Sequence, residues 1–191
     1  MTYKIIVVHG NLHYKVTTLS YLHCTHTGGS WSYSNELHKS IEVGFATTIQ
    51  HITQLSITAY QELSLSVTHK LSAEIALFIQ EHQLEHTIDW VAYNGIQVVD
   101  GLYLGNAALL AANIKLPVVA ELYSMHQALL GNNDYLAVAS LIAQVQPTYS
   151  NHHAMSIAIA QASALRWREE YTTTHDGHSH IGGCIWLGVE A

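Results

Sequence analysis

The feature that most constrains the fold is an alternation in the middle of the chain. Ile88-Asp89-Trp90-Val91-Ala92-Tyr93 reads as a strand, Asn106 to Ile114 as a small helix rich in Ala and Leu, and Leu116-Pro117-Val118-Val119-Ala120 as a strand again. Strand, helix and strand in that order are the signature of an α/β sheet carrying helices on its faces. Between them, Asn94-Gly95 is a turn signal that closes the first strand, and Gln97 to Leu104 is extended up to Gly105.

The flanking segments extend the pattern. Lys4 to Val8 is apolar enough for a buried strand, and Lys15 to Leu22 reads as a second one. His9 to Tyr14 is then a hairpin connection with Gly10-Asn11 as its turn. Cys24 to Asn35 is rich in Thr, Ser and Gly and reads as a loop, with room for a short strand at Trp31 to Tyr33. Glu36 to Leu55 places Ile41, Phe45, Ile49 and Ile52 at helical spacing. Ser56 is a candidate N-cap for a longer helix whose apolar stripe is Ile57, Tyr60, Leu63, Val67, Leu71, Ile75 and Phe78. Further helices are expected at Tyr135 to Gln144 and Asn151 to Tyr171, with Pro147 between them, and a last strand within Ile181 to Val189. No repeat and no long linker divides the chain, so residues 1–191 are read as one domain.

Composition narrows the function. Asp, Glu, Lys and Arg supply 11% of 191 residues while apolar types supply 49%, against roughly 25% charged residues in an average domain. A surface so poor in charge is not that of a fully solvated monomer. Seven Lys and Arg against 14 acids give a net charge of −7. Seven unclustered cations do not make the phosphate-neutralising face that nucleic acid requires, nor a patch for anionic membranes. No apolar run is long enough to span a bilayer, and the apolar stretch after Met1 is too short for a signal peptide. Two cysteines, Cys24 and Cys184, do not make a disulfide framework, and the expected location is the cytoplasm. Fifteen histidines stand in for Lys and Arg as polar coating, and acidification would offset much of the negative charge.

Four stretches carry a family resemblance. Ile6 to Val16, which includes His9-Gly10-Asn11-Leu12-His13-Tyr14-Lys15, sits where one family has G-V-M-S-G-T-S-x-D-G-x. Ile88 to Val98 sits where it has I-D-x-I-A-S-H-G-Q-T-V. Leu104 to Ala111 followed by Leu116 to Leu122 is similar to I-G-x-x-A-x-I-A and a strand ending in V-V-x-D-F-R. Met155 to Arg168, Thr174 and Ile181 to Ile185 resemble its C-terminal helix and final T-G-A-x-x-x-x-x-G-G strand. The family is that of the anhydro-N-acetylmuramic acid kinases, within the actin/hexokinase/Hsp70-like superfamily. The resemblance implies a single actin-like, ribonuclease H-like α/β lobe: a mixed sheet with helices on both faces, closed by the C-terminal helix and strand. Residues 1–136 correspond to the kinase N-terminal lobe and 151–191 to its C-terminal helix and strand. Such kinases are about twice as long, so the resemblance implies that the second lobe, with most of the ATP site, is absent.

Against the same family the chemistry is lost. Phosphoryl transfer needs backbone amides around phosphate, acids on Mg²⁺ and a base at the acceptor hydroxyl. The former phosphate loop holds His9, Gly10, Asn11 and Tyr14; Tyr14 replaces the Asp and Lys15 the second glycine. Asn94 replaces the His of S-H-G-Q-T, Glu121-Leu122-Tyr123 replaces D-F-R, and His126 stands where the family has its base. No catalytic residue and no cofactor are expected. Asn94, Glu121 and His126 are the residues left to bind a small molecule in the old sugar pocket, an amino sugar or muropeptide fragment. Glu121 with His126 could pair as acid and base, although spacing alone favours a plain polar pair in a strand-to-helix loop.

His175, Asp176, His178 and His180 form the most metal-like run, but without the i, i+4 histidine pair of a helical zinc site. In so histidine-rich a chain a solvated loop is the simpler reading. His152-His153 is weaker still, and Cys24 has no adjacent base to activate it. The low charge leads to an expectation of self-association, most simply a two-fold homodimer, with a full-length kinase of the same family as the other candidate partner.

Overall fold

The computed structural model describes residues 1–11, 16–28, 30–41, 52–99, 102–120, 122, 151–167 and 184–186. Strand β1 (Thr2–Asn11) pairs antiparallel with β2 (Val16–Thr27), which pairs antiparallel with β3 (Ser30–Ile41). On its other side β1 runs parallel to β4 (Trp90–Val99), and β4 runs parallel to β6 (Val118–Ala120). Strand β7 (Cys184–Trp186) adds antiparallel to β6, and β5 (Leu102–Leu104) folds back on β4, so the sheet path is β3-β2-β1-β4-β6-β7. The interior strands β1 and β4 read as continuous apolar runs because both of their faces are covered.

Helix α1 (Ile57–Glu81) and helix α2 (Ala107–Ile114) lie on one face. Ser56 caps α1 as the sequence indicates, its hydroxyl accepting from the Ala59 N–H at 3.2 Å. Leu63, Val67, Leu71, Ile75 and Phe78 are buried against Ile6, Val8, Leu19 and Val91. Asn106 caps α2 in the same way, accepting from the Leu109 N–H at 2.9 Å. Helix α3 (Asn151–Trp167) lies on the opposite face, against Ile5, Val7, Leu22, Cys24, Trp90 and Ala92. The expected architecture, a mixed α/β sheet with helices on both faces and closure by the C-terminal helix and strand, is therefore found.

Four local expectations are corrected. The Thr/Ser/Gly-rich stretch 24–35 is no loop: it forms the end of β2 and the start of β3, joined at Gly28. Thr and Ser suit a half-exposed strand once a neighbouring ladder holds their backbone. The helix expected over 36–55 begins as strand, since β3 reaches Ile41; Ile41 packs into the core from the sheet, and Ile52–Gln54 is a single 3₁₀ turn. The hairpin connection starts later than Gly10-Asn11, both of which remain in β1.

Asn94-Gly95, finally, does not end a strand. Val8 faces Tyr93 and Gly10 faces Ile96, so β4 carries one extra residue there. The signal is that of a β-bulge, with Gly95 at φ +79°, a conformation glycine adopts at little cost. The helix expected at 135–144 lies outside the described residues.

Candidate functional site

In open α/β sheets ligands bind beyond the carboxyl ends of the parallel strands. Here that position is the end of β1, where His9, Gly10 and Asn11 continue the ladder with β2 opposite Thr18, Thr17 and Val16. Gly10 is required by close approach: a Cβ there would lie 2.6 Å from Thr17 Oγ1 and 3.4 Å from Ile96 Cγ1. The backbone at the end of β1 is thus packed against protein on the α1 side. Thr17 Oγ1 is itself buried, with no hydrogen-bond partner among the described residues.

On the α3 side the same strand end is tied to the C-terminal helix. His9 Nε2 lies 3.0 Å from Ser156 Oγ in the second turn of α3. Ser156 Oγ lies 2.9 Å from Ser20 Oγ on β2, and Ser20 Oγ lies 2.9 Å from His38 Nδ1 on β3. Both serines are fully buried, whereas His9 is half-buried and His38 exposed. Four elements therefore meet in one hydrogen-bonded chain whose outer members are imidazoles. Each imidazole can donate or accept according to its tautomer. Both hydroxyls are sealed from solvent, so neither serine is presented to a substrate as a nucleophile, and the contacts tie β1, β2 and β3 to α3.

Sequence reasoning missed Ser20, His38 and Ser156. Ser20 and Ser156 are 136 positions apart, and a serine in a strand or helix pattern gives no local signal. Of the residues singled out from sequence, His9, Gly10 and Asn11 lie in β1 and Asn94 lies at the β4 bulge. Tyr14, Glu121, His126, His175, Asp176, His178 and His180 lie outside the described residues. Among the described residues no group of three or more His, Cys, Asp or Glu could hold a metal ion. Cys24 is fully buried on the α3 side, away from solvent.

At the opposite end of the same strands, Tyr21 Oη and His23 Nε2 are 2.6 Å apart. Burial raises the Tyr21 phenol, opposed by its hydrogen bond with Thr87. Burial, helped by the positive charge of Lys4 and opposed by Asp89, lowers the His23 imidazole. These are ordinary consequences of desolvation. On α3, Ser163 Oγ lies 3.0 Å from the fully buried Trp90 Nε1 and accepts its proton, and Trp167 stacks on Trp90 at 4.9 Å between ring centres. Among the described residues no helix is long and apolar enough to cross a membrane.

No protein-family model matches the chain, and no curated protein matches it. Among solved structures, a Ppx/GppA family member of Aquifex aeolicus is similar to it at 14% identity and a TM-score of 0.33, over 73% of this chain and 40% of that one. A structure of an Aquifex aeolicus PPX-GPPA enzyme is similar at 13% identity and a TM-score of 0.32, over 74% and 42%. The chain thus spans about two fifths of the length of these two solved proteins.

Proposed function

We propose that the protein is a non-catalytic, kinase-like member of the anhydro-N-acetylmuramic acid kinase lineage that acts by self-association or partner binding. The observation that carries the reading is the fastening of β1 to α3. A strand end that serves phosphoryl transfer must leave its polar groups facing a ligand. Here His9 is engaged with Ser156, and Gly10 lies against Thr17 and Ile96. The replacement of the family's Asp by Tyr14 and of its second glycine by Lys15 supports the same conclusion from sequence. The low proportion of charged residues, 11%, together with the exposed Ile57, Leu65 and Leu77 of α1, favours a protein partner.

The test is a thermal-shift titration with ATP and Mg²⁺, and in parallel with amino sugars and muropeptide fragments. No saturable shift is expected with the nucleotide. A Mg²⁺-dependent stabilisation by ATP overturns the non-catalytic reading. A shift with an amino sugar alone supports instead a binder built on Asn94, Glu121 and His126.

A further inference from the structure

We propose that the protein forms a two-fold dimer through the outer edge of β3, by antiparallel pairing of Ser30–Ser34 with the same run of a second copy. This rests on the self-association reading above and names its surface. Among the described residues the sheet ends at β3, whose ladder is with β2. The backbone groups on its other side point out of the sheet and form a template for another strand.

Edge strands are ordinarily blunted by proline, by charge or by a bulge that twists them away. β3 is protected along only half of its length. Its register with β2 shifts between the Tyr21–Leu37 and His23–Ser34 pairs, which places a bulge at Asn35-Glu36. Glu36, His38 and Lys39 all lie at or beyond that bulge. The Lys39 ammonium is turned to the carboxylates of Glu74 and Glu81 on α1, at 3.5 and 3.1 Å. The first half, Ser30 to Ser34, keeps an unbroken register from Thr27–Ser30 to His23–Ser34 and contains neither proline nor charge.

The occupant follows from the sequence of that half. Ser30-Trp31-Ser32-Tyr33-Ser34 has the same pattern read in either direction. A two-fold axis normal to the sheet at Ser32 sets Ser32 opposite its own copy, Trp31 opposite Tyr33, and Ser30 opposite Ser34. Two aromatic positions, 31 and 33, then share each cross-strand pair, twice by symmetry, and aromatic cross-strand pairs are among the stabilising ones in antiparallel sheets. Serines meet serines on the other side of the sheet, where Ser30, Ser32 and Ser34 are exposed. No like charges oppose. A strand of unrelated sequence gains none of this matching, whereas a second copy gains all of it, and the two-fold contact uses the same run of both copies, so that it closes on itself at this edge.

The experiment is sedimentation velocity at concentrations up to about 100 µM, a range that detects weak dimers, on the full chain and on two charge variants. Ser32→Lys and Ser32→Glu each place like charges directly opposite one another at the axis, while an exposed position leaves folding intact, as circular dichroism checks. The wild type is expected to dimerise and each variant alone to be monomeric. Their equimolar mixture is expected to re-associate, because Lys then faces Glu. A wild-type dimer that survives Ser32→Lys overturns this surface but leaves self-association standing. Loss of the dimer in both variants without rescue on mixing overturns the two-fold axis at Ser32. A wild type that remains monomeric overturns this proposal and the self-association reading together.

Discussion

The two faces of the sheet are held by different chemistry. On the α1 face the core is made of large side chains, and the helix hydroxyls hold the segment from Gly105 to Asn113, two through its backbone and one through a side chain. Ser64 Oγ accepts from the Gly105 N–H at 2.8 Å, Thr68 Oγ1 accepts from the Asn106 N–H at 2.9 Å, and Ser72 Oγ accepts from Asn113 Nδ2 at 3.0 Å. These three residues recur every fourth position, so one stripe of α1 fastens β5 and α2. On the α3 face five alanines and two serines of the helix are buried beside Ile157 and Ile159. Ala154, Ala158, Ala160, Ala162 and Ala164 are buried, and its hydroxyls meet side chains from distant strands. With alanine or serine at so many of its buried positions α3 lies close to β1 and β2, and closeness leaves little room for adjustment. One face is therefore sensitive to lost volume, the other to added volume and to lost hydrogen bonds.

The largest effect expected is on the α1 face. Phe78→Ala removes a fully buried ring from the middle of that core and is expected to cost about 3–5 kcal/mol in chemical denaturation. The mirror experiment on the other face is Ala160→Leu, which adds volume at a site with no exposure. A loss of about 1–3 kcal/mol is expected from overpacking. If Ala160→Leu is neutral, α3 is not closely packed and the contrast fails.

Smaller effects refine the comparison. Ser163→Ala leaves the buried Trp90 N–H without its acceptor, at an expected cost of about 1–3 kcal/mol. The double variant Trp90→Phe/Ser163→Ala removes both partners and should recover part of that loss. A strictly additive double variant would show that the hydrogen bond is not what matters there.

The smallest effect concerns pH. Burial lowers the folded-state pKa of His23 below its ordinary value of 6.5. The unfolded chain then binds this proton more readily than the folded one. The stability this group contributes is present above about pH 6.5 and is lost as pH falls below it. Replacing His23 with Phe should flatten, slightly, the fall in urea midpoint between about pH 7.5 and 5.5. An unchanged slope would show that His23 is not the source of the fall.

Much of the fold was legible in the sequence where packing itself sets the pattern. The stripe from Leu63 to Phe78 and the apolar runs of β1, β4 and β6 follow from burial against neighbours with a fixed period, and the cap at Ser56 from a local hydrogen bond, whereas Ile57, expected in the same stripe, is exposed. Apart from the short strand expected at Trp31 to Tyr33, the stretch from Cys24 to Ile41 was not legible. Its Thr, Ser and Gly content marks loops in isolation, and only the ladder supplied by β2 makes strands of it. The Asn94-Gly95 signal was genuine, but its outcome depended on neighbours, since β1 and β5 on either side turn a stop into a bulge.

The candidate site divides in the same way. His9 and Gly10 were marked by their position after an apolar strand and by family pattern. Ser20, His38 and Ser156 gave no sign, because their meeting depends on contacts as far as 147 positions apart. The sequence by itself determined the α/β class, the periodic faces of its helices and the poverty of charge, all of which are local or compositional properties. Only the tertiary structure decided that the end of β1 is fastened to α3, that α3 lies close to the sheet, and that β3 ends the sheet among the described residues. Those outcomes rest on which elements become neighbours, and a residue's chemistry does not choose its neighbours until the chain has folded.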